Sequence, residues 1–142
     1  MISNEEDNDF GEFLSNKSIE YFENGKYLKA VDIQLEVVED CIKMLIHGRG
    51  KHLGLSNTKI HKLADEGDLE TRINNLIELC DKDFSHLCTE LHEWRNRRNR
   101  LRHRKSTFKS LEDLNEFARL TWLMGTTIIY NFMENISNIP IT

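Results

Sequence analysis

The residues best equipped for chemistry lie between Arg95 and Lys105. Seven of these eleven positions (Arg95, Arg97, Arg98, Arg100, Arg102, Arg104 and Lys105) stay cationic at neutral pH and none is acidic, in a chain of formal net charge −5. A cationic strip inside an anionic protein is the charge pattern of a polyanion-binding or phosphate-handling site. Two further residues break the uniformity of the strip. Asn99 and His103 stand four apart, with Arg95 another four before them, so on a helix the three share a face. If the helix frays near its end, His103 can swing toward Arg98, which places an arginine fork, an amide (Asn99) and an imidazole around one point. The plainer alternative is a solvated helix face, on which Arg98 snorkels outward, Asn99 makes a local hydrogen bond and His103 caps the helix dipole.

These residues need a helix to hold them, and the pattern supplies one. Phe84, Leu87, Cys88, Leu91, Trp94 and Leu101 form an apolar stripe running from about Phe84 into the strip. At about 100° per residue, Arg98 falls on that stripe between Trp94 and Leu101. A charge at an otherwise apolar position is costly unless it is paired or faces a polar cleft.

The rest of the chain also reads as helical. One proline, Pro140, occurs near the end, so nothing forces a break over most of the length. A first helix is expected from Phe10 to Asn24, after an acidic flexible tail over residues 1–9, and Gly25 closes it. Val31, Leu35, Val38, Ile42 and Leu45 mark a central helix from Tyr27 to His47, widened by Val37, Cys41 and Met44. Gly48-Arg49-Gly50-Lys51-His52-Leu53-Gly54 reads as a connecting loop and lacks the residue order of a phosphate-binding P-loop. Ser56-Asn57-Thr58 caps a short helix through Ile60 and Leu63, and Leu69 to Cys80 makes another. Ser106 to Lys109 is a linker. Ser110 then caps a last helix whose buried face runs from Leu111 through Phe117, Gly125 and Phe132 to Ile136. The expectation is an all-α, single-domain bundle of five to six helices over residues 10–138.

Composition narrows the function classes. With 39% hydrophobic and 30% charged residues the chain suits a folded, charge-rich helical domain. No apolar run approaches the roughly 18–20 residues needed to span a bilayer. The acidic N-terminus is the reverse of a signal peptide, so a cytoplasmic location is expected. Cys41, Cys80 and Cys88 are odd in number, lack CxxC spacing and read as reduced core thiols. Cys88 and His92, with His86 near, share a helix face but find no second ligand pair. His47, His52 and His61 match no ligand spacing, so no metal and no cofactor is expected. Trp94 could stack on a base, but its place on the stripe favours packing in the core or against a partner copy.

Arg98-Asn99-Arg100-Leu101-Arg102-His103 resembles the signature of HEPN domains (higher eukaryotes and prokaryotes nucleotide-binding). That signature is an Arg, then a polar residue, often Asn, with a His a few positions on, near the end of a helix in an all-α bundle. The stretch Asn24 to Ala30, leading into a helix with Glu36 and Glu39, and the later Lys59-Ile60-His61-Lys62-Leu63, are similar to the front of many such domains. The resemblance implies a metal-independent endoribonuclease, or an inactive cousin that binds RNA. In such an enzyme a ribose 2′-hydroxyl attacks the adjacent phosphate. His103 would be the general acid/base, Arg98 would stabilise the phosphoryl charge and Asn99 would orient one of them. Arg95, Arg97, Arg100, Arg102, Arg104 and Lys105 would attract the RNA backbone. It further implies a homodimer with a composite site, and a toxin or phage-defence role with an antitoxin or defence-system partner. One departure counts against a subgroup paired with nucleotidyltransferase antitoxins: it carries Tyr two residues after the His, where this chain has Lys105. A module binding RNA, a nucleotide or a protein without cleaving stays open, as does a helical adaptor whose strip docks on an acidic partner.

Overall fold

The structure, a computed structural model, describes residues 4–80 and 82–137. Six α-helices form one compact domain, with no strand among the described residues. They are α1 (Asn4–Glu23), α2 (Tyr27–His52), α3 (Asn57–Asp65), α4 (Leu69–Leu79), α5 (Lys82–His103) and α6 (Leu111–Ser137), with one 3-10 turn at Lys105–Thr107. The all-α bundle expected from the apolar spacing is therefore the fold.

The helix ends carry the corrections. The first helix starts at Asn4 rather than Phe10, so residues 4–9 of the acidic segment are helical. Glu5, Glu6 and Asp7 are residue types that favour the positive end of a helix. Residues 1–3 lie outside the described set, as do residues 138–142, Pro140 among them. The side chains of Phe84 and Ile136, expected on buried faces, lie outside it too. The larger correction concerns Gly48 and Gly50, read as loop but lying inside α2, which continues to His52. Gly50 is buried, and a Cβ there would stand 2.6 Å from Ile60 Cγ1. The glycine serves helix-to-helix approach, and the left-handed turn comes only at Gly54 (φ 75°). Ser56 and Ser110 cap as expected, their hydroxyls accepting from Lys59 N at 3.2 Å and Asp113 N at 3.1 Å.

Helix α2 is the axis of the bundle, packed by α1, α3, α4 and α6, while α5 lies against α4 and α6. Val38, Ile42, Leu45 and Ile46 of α2 are fully buried, with Ile73 and Leu76 of α4, Leu91 and Trp94 of α5, and Phe132 of α6. Inside this core sits one polar junction. Gln34 donates to the Trp122 carbonyl (2.8 Å) and to Thr126 Oγ1 (3.1 Å), and its own carbonyl accepts the Trp94 indole N–H at 3.0 Å. A Cβ at Gly125 would collide with Gln34 and Trp94. Helices α2, α5 and α6 therefore meet at a fixed register, because a buried indole N–H and a buried amide are each costly unless satisfied. That register sets the direction in which the last three turns of α5, with the basic strip, leave the core.

Candidate functional site

The basic strip is not a uniform patch, because α5 turns its cations toward three neighbours. On the α6 side, Arg97 Nε donates to Thr121 Oγ1 (2.9 Å), an Nη donates to the Phe117 carbonyl (3.1 Å), and the guanidinium stacks 3.9 Å from the Phe117 ring centroid. Burial pushes the Arg97 pKa below its ordinary value, with Glu93 opposing and Arg100 adding to the drop. Arg100 donates to Thr107 Oγ1 (2.9 Å) and lies 4.0 Å over the Phe108 ring. It pins the turn after α5. These two arginines, expected among the RNA contacts, have partners within the chain, part-buried for Arg97 and solvent-exposed for Arg100.

On the α4 side, Arg95 pairs with Glu70 at 3.7 Å and reaches Asn96 at 3.2 Å, while His92 Nε2 stands 3.0 Å from Asn74 Oδ1. Toward the N-terminal end of α2 lies the third group. Arg98, Leu101, Arg102 and Lys105 face Leu28, Val31 and Asp32 across a cleft of about 30 Å³. That is room for about one water, or for one oxygen of a larger group lying across the surface. Arg102 pairs with Asp32 at 3.5 Å, both side chains about half exposed. Such a pair contributes about 1 kcal/mol at most and is readily exchanged for another anion.

Arg98 differs from its neighbours. It is half-buried and forms no hydrogen bond or ion pair among the described residues. Its Nε is shielded from solvent without a partner, as the Arg95 Nε also is, but the Arg95 guanidinium has Glu70. The apolar-stripe position has thus produced a cation with no ion-pair partner among the described residues, lining a cleft that carries two more cations and the Asp32 carboxylate. Asn99 is half-buried, while His103, Arg104 and Lys105 are exposed. His103 makes no hydrogen bond or ion pair among the described residues, and nothing joins Arg98, Asn99 and His103 to one another. Five positions separate Arg98 from His103, about 140° around the helix and roughly 7.5 Å along it. A single chain therefore collects Arg98, Arg102 and Lys105 in one cleft, and leaves His103 beside it.

Trp94 is fully buried with its indole hydrogen-bonded to Gln34, so it packs the core and offers no stacking face. Cys88 hydrogen-bonds with Cys80, which lowers its thiol pKa against the opposing effect of burial, and burial pushes the Cys41 thiol up to about 12. Among the described residues no group of three His, Cys, Asp or Glu side chains is placed to hold a metal ion, and no helix is long and apolar enough to cross a membrane.

Two features escaped the sequence. Asp32, the one carboxylate lining the Arg98 cleft, stands 70 positions from the arginine it meets, and periodicity carries no signal of that pairing. His47 and His61, which match no ligand spacing, share the carboxylate of Asp65 once α3 folds against α2. No protein-family model, curated protein sequence or solved structure matches this chain, so its likeness to HEPN domains rests on the motif and its helical setting.

Proposed function

We propose that this protein is a metal-independent endoribonuclease of the HEPN type, working in the cytoplasm as a toxin or phage-defence component. The observation carrying this reading is Arg98: a half-buried guanidinium with no ion-pair partner among the described residues, in a cleft shared with Arg102, Lys105 and one carboxylate, Asp32. A phosphodiester supplies the missing anion. In the reaction, the ribose 2′-oxygen attacks phosphorus as its proton leaves, and the 5′-oxygen departs as it gains one. Arg98 stabilises the added charge on the phosphoryl oxygens. His103 carries a proton in or out of the site, and Asn99 orients the phosphate.

One chain holds His103 off to the side of its own Arg98, so the reading includes a homodimer. Two α5 ends come together and each His103 completes the site built on its partner's cleft. An antitoxin or other defence-system protein would cover the same cationic surface. The decisive assay follows cleavage of a labelled single-stranded RNA in EDTA by the wild type and by His103→Ala. Cleavage by the wild type and its loss in the variant are expected. Undiminished cleavage by His103→Ala would remove the acid/base role.

A second reading draws on a specific observation: among the described residues His103 has no hydrogen-bonding partner to fix its tautomer or direction. On that reading the domain binds RNA and does not cut it. RNA shifted in a gel and released by salt, with neither protein cleaving, would decide for it.

A further inference from the structure

Two of the three cysteines meet in space at the junction of α4 and α5. Cys80 is the residue on which α4 ends. Its backbone is extended (φ −87°, ψ 149°), and its N–H still bonds back to the Leu76 and Ile77 carbonyls at 3.0 and 3.2 Å. Cys88 stands about two turns into α5 and is fully buried. Because α5 packs back against α4, the two side chains come into thiol–thiol hydrogen-bond contact. Helix α2 steadies the arrangement: Arg49 Nε donates to the Leu79 carbonyl at 3.2 Å, which fixes the peptide leading into Cys80.

The pair is asymmetric in the way that stepwise thiol–disulfide exchange requires. Cys80 is partly exposed and Cys88 is not, so a small oxidant in solution meets Cys80 first. Contact with Cys80 lowers the Cys88 thiol pKa, burial opposing, so Cys88 is ready to attack once an electrophilic sulfur stands beside it. Cys41 supplies the contrast. Burial, and after it the charge of Asp40, push the Cys41 thiol up to about 12. A thiol held protonated and out of reach does not exchange. The three cysteines thus divide into a reactive pair and an inert third.

We propose that Cys80 and Cys88 form a reversible disulfide site, oxidised by a low-molecular-weight disulfide such as oxidised glutathione. The Cys80 sulfur attacks the glutathione disulfide and displaces one glutathione thiolate, leaving a mixed disulfide. The Cys88 sulfur then attacks the Cys80 sulfur and displaces the second. Two protein thiols are oxidised, one glutathione disulfide is reduced, and the two thiol protons pass to the two glutathione thiolates. Bond formation draws the sulfurs to about 2.05 Å, a movement that Cys80 makes from outside the helix. In a reducing compartment such a link is transient, the form that a redox-sensing disulfide takes. It staples the end of α4 to α5 about 15 Å along that helix from Arg98, so it acts on the bundle's stability and is independent of the ribonuclease reading.

The test incubates the folded full chain in buffers of rising oxidised-to-reduced glutathione ratio, quenches with acid, and counts thiols after unfolding. The wild type is expected to fall from three free thiols to the single thiol of Cys41. Its mass should drop by two hydrogens, and digestion should yield one cross-linked peptide joining Cys80 to Cys88. Excess dithiothreitol should restore all three thiols. Cys88→Ser should stop with one glutathione on Cys80, and Cys80→Ser should lose thiol about tenfold more slowly, because both remaining sulfurs are buried. The oxidised wild type should unfold at a higher urea concentration than the reduced one, a gain that Cys88→Ser lacks. Arg98→Met should oxidise as the wild type does. A wild type that keeps three thiols, that stops at the glutathione adduct, or that engages Cys41 as fast as the pair would overturn the proposal.

Discussion

Arg97 and Arg98 are neighbours of identical chemistry with opposite roles. The Arg97 guanidinium has two hydrogen-bond acceptors on α6 and an aromatic ring beneath it, whereas the Arg98 Nε is shielded from water with no acceptor. A donor buried without a partner costs about 1–3 kcal/mol, and a satisfied one removed with its partners left behind costs a similar amount. Arg98→Met should therefore leave the unfolding midpoint in urea unchanged or raised, while weakening RNA binding about tenfold or more. Arg97→Met should lower stability by about 1–3 kcal/mol and alter RNA binding only in proportion to unfolding. Equal destabilisation by the two substitutions would remove Arg98 from the list of residues kept for a ligand. The sequence made Arg98 visible, because its own helix supplies the apolar stripe on which it is out of place. It could not separate Arg97 and Arg100 from the strip, since Thr121, Phe117 and Phe108 belong to other segments.

At the scale of elements, the helices were legible from spacing, and their ends were legible where a side chain caps them, as Ser56 and Ser110 do. They were misread where a glycine serves contact rather than turning. Gly50 continues α2 because Ile60 needs the space above it, a tertiary demand invisible to local pattern. The contact between α4 and α5 carries a pH dependence of its own. Burial, with Arg95 nearby, holds the His92 pKa below its ordinary value, Glu70 opposing. The native state therefore binds fewer protons than the unfolded chain as pH falls through the ordinary histidine range, and stability falls with it. His92 contributes fully above that range and loses its contribution on acidification. Chemical unfolding across about pH 7.5 to 5.5 should show a shallower loss of stability for His92→Gln than for the wild type. An identical slope would mean that His92 titrates alike in both states.

For the whole molecule, the question is how much of the cationic strip remains for a polyanion. Counted along the sequence, seven charges are offered. Folding withdraws Arg97 and Arg100 into contacts with α6 and the following turn, and engages Arg95 with Glu70. Arg98, Arg104 and Lys105 remain uncompensated among the described residues, and Arg102 is held only by its solvent-exposed pair with Asp32. Three or four cations are thus free to displace counterions, within a chain of net charge −5 that repels a nucleic acid elsewhere. For single strands log K falls with log salt at about −0.7 per neutralised phosphate, so the slope for one strip should lie near −2 to −3 rather than near −5. Asp32→Asn should steepen it slightly by releasing Arg102, and Arg98→Met should flatten it by about 0.7. Fluorescence anisotropy of a labelled RNA across a salt series measures all three. A wild-type slope near −5 would mean either that Arg95, Arg97 and Arg100 all leave their partners to meet the RNA, or that two strips of a composite dimer site lie on one strand. Arg97→Met flattens the slope only in the first case and so separates the two.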